Sequence, residues 1–151
     1  MGVVCAISDD EVGVDIQNII SLNAEVAQIV CTDRELSIIH SSHDHDGLFC
    51  KLWTLKESYL KALGTELTTQ LKEVSFEFCE NVISSNKPGW HFKTFQEGGY
   101  YISVCSRKKV PNEYQKVSVA DIKEKWVRVD SRNGINPFFS LSLNGKSEWS
   151  V

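Results

Sequence analysis

Asp15 and Gln17 stand two residues apart in Gly13-Val14-Asp15-Ile16-Gln17. At the end of a strand, residues i and i+2 share a face, so this pair offers two oxygen ligands to one hard cation. Asp15 has a second reading, as the cap of a following helix. A further polar set falls on the segment Leu48 to Leu63. At 100° per residue, Glu57 lies nearly opposite an apolar stripe of Leu48, Leu52, Leu55, Tyr59 and Leu63. Trp53 and Lys61 flank Glu57, and Lys56 lies closer to the edge of the stripe. Glu57 and Lys61 form an i,i+4 pair in the favourable orientation, worth roughly 0.3 kcal/mol on an exposed face. That pairing leaves Trp53 unexplained, and a large aromatic among charges implies that something covers this face. His40-Ser41-Ser42-His43-Asp44-His45-Asp46 is the third cluster. Its imidazoles and carboxylates suit Zn²⁺ or Ni²⁺ by type, but their spacing lacks the fixed geometry of two helical His, and it reads as a solvated loop.

The elements that must position these groups follow from periodicity. Val3–Ile7 and Val12–Ile16 are β-branched runs around the turn Ser8-Asp9-Asp10-Glu11, which predicts a hairpin. Asn18 can cap a helix running to about Val30. Thr32-Asp33-Arg34-Glu35 is a capping box, with Thr32 as N-cap and Glu35 at N3, opening a short helix through Ile39. His40–Gly47 is polar and predicted to be a loop. Leu48–Leu63 is the strongest helix, with Gly64 as its C-terminal stop. Val74–Cys79, Trp90–Phe95 and Tyr100–Ser106 are strand-like, the last two joined by Glu97-Gly98-Gly99 as a hairpin. A helix is expected over Val119–Val127, and Pro137–Val151 is strand-like or poorly ordered. The class is α+β, an antiparallel sheet packed against a long helix.

The 151 residues suit one domain, and 42% hydrophobic with 24% charged residues is ordinary for a globular protein. The apolar stretches are only a few residues, too short for a membrane span. The N-terminus lacks the basic start of a signal peptide, which points to the cytoplasm. Cys5, Cys31, Cys50, Cys79 and Cys105 have no C-x-x-C pair and read as small buried hydrophobes in a reducing compartment. Residues 1–50 hold nine carboxylates and one basic residue, Arg34, a balance of −8, while residues 107–132 hold eight basic residues and four acids. A chain of net charge −4 lacks the broad basic surface that sequence-independent nucleic-acid binding needs.

Gly13-Val14-Asp15-Ile16-Gln17 and, about forty residues later, Trp53-Thr54-Leu55-Lys56-Glu57-Ser58-Tyr59-Leu60-Lys61-Ala62-Leu63-Gly64 together resemble the 4′-phosphopantetheinyl transferases, particularly the Sfp type. That family carries G-(V/I)-D-x-E near a strand end, then W-x-x-K-E-(S/A)-x-x-K-x-x-G on a long helix. The second motif is matched at every specified position and the first at all but its last, where Gln17 replaces a carboxylate. Glu35 resembles the family's acidic residue between the motifs, and Trp90–Ser106 its closing hairpin.

The resemblance implies a transferase lobe over residues 1–126, followed by an extension over 127–151. It also implies that Asp15, Gln17 and Glu57 hold Mg²⁺ on the pyrophosphate of coenzyme A, with Lys56 and Lys61 on the phosphates. Glu57, or a water on the metal, would take the proton of a carrier-protein serine, with Trp53 and Glu35 supporting the site. The serine attacks the β-phosphate, releasing 3′,5′-ADP and leaving the phosphopantetheine arm on an acyl or peptidyl carrier. Sfp-type enzymes have two similar lobes with the active site between them, and the sequence resembles only the second. The shorter holo-acyl-carrier-protein synthases are one lobe that trimerises, so a homo-oligomer or a separate first-lobe chain is expected. The alternative is a catalytically silent half-enzyme that binds a carrier protein or a partner chain.

Overall fold

A computed structural model describes residues 2–65, 69–79, 82–118 and 138–142 of the 151. Its central element is helix α3, His45–Leu63. Asp44 caps it, accepting from the Gly47 N–H at 2.9 Å, and Gly64 ends it at φ 66°, the left-handed conformation that glycine adopts without a Cβ penalty. Preceding it are α1, Ala24–Val30, and α2, Asp33–Ser41. The capping box on α2 forms as expected, Thr32 and Glu35 exchanging bonds. The predicted loop His40–Gly47 shrinks to three residues, because its polar groups serve the helix ends instead. Asp44 caps α3, Asp46 accepts from the Leu22 N–H at 2.8 Å, and His45 Nδ1 lies 2.7 Å from the Ile39 carbonyl. Among the described residues no group of three or more His, Cys, Asp or Glu could hold a metal ion.

Strand β1 spans Gly2–Ala6, β2 Val12–Asn18, β3 Phe76–Cys79, β4 Val82–Ser85, β5 His91–Glu97 and β6 Tyr100–Ser106; β7 (Gln115–Val117) and β8 (Phe138–Ser142) follow. The main sheet has the order β2-β6-β5 and is antiparallel throughout. The β5–β6 hairpin closes as predicted on Gly98 and Gly99, at φ 55° and 83°, with Glu97 opposite Tyr100. The predicted β1–β2 hairpin does not form: β1 pairs antiparallel with β8, and β8 runs parallel to β7 in a second sheet. The intervening turn is tied elsewhere, since Glu11 bonds Arg107 and Asp9 pairs with Lys108 at the end of β6. Nor does a helix start at Asn18. That residue stays in β2 opposite Tyr100, and Asn23 caps α1 through bonds from the N–H groups of Glu25 and Val26. β3 pairs with β4, a strand the periodicity did not show.

The α+β class stands. α3 lies on the main sheet, and α1, α2 and a 3-10 turn, Thr69–Glu73, close the core from its other side. Leu52, Leu55, Ile39 and Phe76 are buried there. Val104 and Val110 form a smaller cluster on the opposite face of the sheet, with Ala6, Val12, Val14 and Phe95 around it. The expected Val119–Val127 helix and the expected domain boundary at residue 126 lie outside the described residues. Cys31, Cys50 and Cys105 are buried, and burial pushes the Cys31 thiol up to about 12. Cys5 and Cys79 depart from the expectation and are exposed. No described helix is long and apolar enough to cross a membrane.

Candidate active site

Much of the polar side of α3 does not meet water. Thr54, Lys56, Glu57 and Ser58 are all buried. A single apolar stripe predicts one wet side, but α3 is covered by a sheet on one flank and by helices on the other. Its buried polar groups are therefore held by specific partners, or they point to a missing one.

Lys56 and Glu35 have their partners. The Lys56 ammonium, with no exposure, donates to Glu35 Oε2 at 2.8 Å, to the Leu71 carbonyl at 2.9 Å and to the Val74 carbonyl at 2.7 Å. All three of its donors are thereby used. Glu35 also accepts from the Thr32 N–H at 2.8 Å and, through Oε1, from the Phe76 N–H at 3.0 Å. The sequence expectation that Lys56 reaches a phosphate is corrected here, because its side chain turns into the core and joins α2, α3 and the segment before β3. Glu35 belongs to that joint and takes no part in the cluster described next.

Asp15 projects from β2 toward α3, and Lys61 Nζ lies 2.6 Å from Asp15 Oδ1. The second oxygen, Asp15 Oδ2, is buried with no hydrogen-bond partner, and so is Glu57 Oε1. Burial raises the proton affinity of Glu57, the negative charge of Asp15 raises it further, and Lys61 partly opposes both. Two carboxylates, each with one orphaned oxygen, are residues that could hold a cation. Lys61 supplies that charge only in part, since its side chain is 51% exposed and reaches one oxygen. Gln17 follows Asp15 on the same face of β2, half-buried, with its Nε2 donating to the Asn18 carbonyl at 3.3 Å.

Two features bring α3 this close to the sheet. Gly13 is buried where a Cβ would collide with the Ser58 carbonyl oxygen and the Ala62 nitrogen. The glycine ahead of Asp15 thus admits the helix backbone, a use of strand glycine that its position in the motif could have signalled. On the next strand Ser103 pairs in register with Asp15 and, across β6, with Thr94 of β5. Ser103 Oγ is 2.7 Å from Thr54 Oγ1 and 3.1 Å from Thr94 Oγ1. Nothing in the composition marked these hydroxyls. Trp53 is half-buried against the core, its ring 6.1 Å from that of Phe49. Both rings line a cavity of about 130 Å³ whose wall includes Gln17, Ile20 and Val26.

A long helix lies over an antiparallel sheet, and Asp15 from the sheet and Glu57 from the helix are close enough for the charge of one to raise the proton affinity of the other. This fold is similar to that of a holo-(acyl-carrier-protein) synthase from Bacillus anthracis solved in complex with CoA (3′,5′-ADP). That likeness has a TM-score of 0.54 and 13% identity over 64% of this chain and 93% of that one. The chain belongs to the 4′-phosphopantetheinyl transferase superfamily, whose model matches residues 11–115. It is 29% identical over 125 residues to the 4′-phosphopantetheinyl transferase ffp of Bacillus subtilis, covering 77% of this chain and 56% of that protein. To the 4′-phosphopantetheinyl transferase Sfp of Bacillus subtilis strain 168 it is 27% identical over 112 residues, 69% of this chain and 50% of that one. The chain thus spans about half the length of these curated relatives.

Proposed function

We propose that the chain is a Mg²⁺-dependent 4′-phosphopantetheinyl transferase that moves the phosphopantetheine arm of coenzyme A to a serine of an acyl or peptidyl carrier protein. The observation that carries this reading is the pair of buried, unpartnered oxygens Asp15 Oδ2 and Glu57 Oε1 in a chain of this superfamily. Orphaned carboxylate oxygens are costly to desolvate, and a divalent cation offsets that cost for both at once. Asp15 and Glu57 are the residues that would hold Mg²⁺, and Gln17, two residues after Asp15 on the same face of β2, would offer its amide oxygen. Few protein ligands suit this ion, which keeps several of its waters. When bound, it supplies charge neutralisation on the pyrophosphate of coenzyme A.

The chain's own groups do the rest. Glu57, buried beside Asp15, accepts the proton of the carrier serine hydroxyl. The serine oxygen bonds to the β-phosphorus, the bond from that phosphorus to the bridging oxygen breaks, and 3′,5′-ADP leaves. Lys61, half-exposed, turns from Asp15 to a phosphate oxygen once a cation compensates Asp15. Trp53 and the Glu35–Lys56 joint brace the helix that carries Glu57. The nucleotide's remaining contacts come from a first lobe or from a second copy of this chain. The buried thiols of Cys31, Cys50 and Cys105 support a cytoplasmic setting.

Gln17, where the Sfp-type pattern has a carboxylate, favours the other reading, a silent half-enzyme that binds a carrier or partner chain. Intact mass of an apo carrier protein incubated with the chain, coenzyme A and Mg²⁺ separates the two. The transferase reading expects a phosphopantetheine adduct that chelation or Glu57→Gln abolishes. No adduct at any protein concentration supports the silent reading.

A further inference from the structure

The hydroxyls of Thr94, Ser103 and Thr54 form a chain with one consistent direction. Thr54 Oγ1 donates to the Lys51 carbonyl at 3.1 Å, so its single proton is used. With that bond made, Ser103 can donate to Thr54 across the 2.7 Å contact and Thr94 to Ser103 across the 3.1 Å contact. Each hydroxyl then donates once, and the chain ends on a helix carbonyl. Thr54 and Ser103 have no exposure, yet a buried hydroxyl pair contributes little net stability over apolar side chains of the same shape. What such a chain does supply is a unique register between the elements it joins.

That register bears directly on the carboxylates. Ser103 stands opposite Asp15, and Thr54 lies one helical turn before Glu57. On the far side of Glu57, Ser58 and Ala62 touch β2 at Gly13. Glu57 is therefore held between two points at which α3 meets the sheet. Mg²⁺ tolerates little departure from octahedral geometry, with ligands at about 2.1 Å.

We propose that Thr54 and Ser103 are positioning residues, whose bond keeps α3 in the register that sets Glu57 against Asp15 for one divalent cation. The proposal rests on the metal reading of Asp15 and Glu57. Mn²⁺, a paramagnetic substitute for Mg²⁺, is titrated into the full chain and followed by electron spin resonance, with urea unfolding measured on the same samples. For Thr54→Val and Ser103→Ala we expect Mn²⁺ affinity to fall at least fivefold. Each single variant also lowers the unfolding midpoint by orphaning a buried hydroxyl, and the double variant recovers the midpoint without recovering the affinity. Thr54→Ser, which keeps the hydroxyl, should restore binding. Should Thr54→Val fail to fold, Ser103→Ala and the serine variant carry the same comparison. Unaltered affinity in Thr54→Val or Ser103→Ala, or a loss that Thr54→Ser does not reverse, would overturn the positioning role alone. If the parent chain binds no Mn²⁺ while Glu57→Gln is equally silent, the metal reading fails and the positioning role with it.

Discussion

Helix α3 carries two lysine–carboxylate pairs, which sit in opposite states of completion. At Lys56 and Glu35 every charge is buried and every donor of the ammonium is engaged. At Lys61 and Asp15 the lysine is half in water, a third charge, Glu57, crowds the pair, and two oxygens have no partner. The first pair is a joint, and its function ends when the protein has folded. The second leaves two buried carboxylate oxygens without a partner, which is what the proposed cation would supply. The family motif places Lys56 and Glu57 side by side, and only the structure shows that one turns inward and the other toward Asp15.

The largest expected effect comes from breaking the joint. Lys56→Met leaves the Glu35 carboxylate buried without its cation, which should cost about 3–5 kcal/mol in urea unfolding. A loss below 1 kcal/mol would mean that the two pairs do not differ as described. Next comes Gly13→Ala, whose methyl group meets the α3 backbone. Overpacking of that kind costs about 1–3 kcal/mol, and by lifting α3 from β2 it should also weaken cation binding, read by calorimetry.

Glu57→Gln should act in the other direction. A carboxylate whose folded proton affinity is raised binds more protons folded than unfolded, so stability falls as pH rises from the ordinary carboxylate value through the raised one. The amide removes that loss. Without divalent cation, Glu57→Gln should be at least as stable as the parent at neutral pH, with a flatter profile from pH 4 to pH 7. A lower stability at pH 7 would show that Glu57 has a partner in the fold. The smallest effect is expected from Arg34→Ala, which removes an ion pair to Glu77 that is mostly in water. It should cost about 0.5 kcal/mol or less and vanish in high salt.

Much of this contrast was legible in the sequence. The capping box named Thr32 and Glu35, the glycine pair closed the β5–β6 hairpin, and the two motifs set the family and the carboxylates. Partners distant in the chain were not legible. Glu35 meets Lys56 across 21 positions and Thr54 meets Ser103 across 49, and no periodicity encodes such pairs. The stripe on α3 misread its polar side as wet, because periodicity reports an apolar face and is silent about a helix covered on two. Local turn chemistry reads β1 and β2 as a hairpin, whereas β1 pairs with β8 and β2 with β6, partners that lie far along the chain.

The central claim is that Asp15 and Glu57 form one cation site. It is tested most directly by titrating Mg²⁺ calorimetrically into the parent chain and the Asp15→Asn and Glu57→Gln variants, each with coenzyme A present. The account predicts one Mg²⁺ per parent chain and at least tenfold weaker binding in either variant, with both variants folded. Equal Mg²⁺ binding by all three would contradict it.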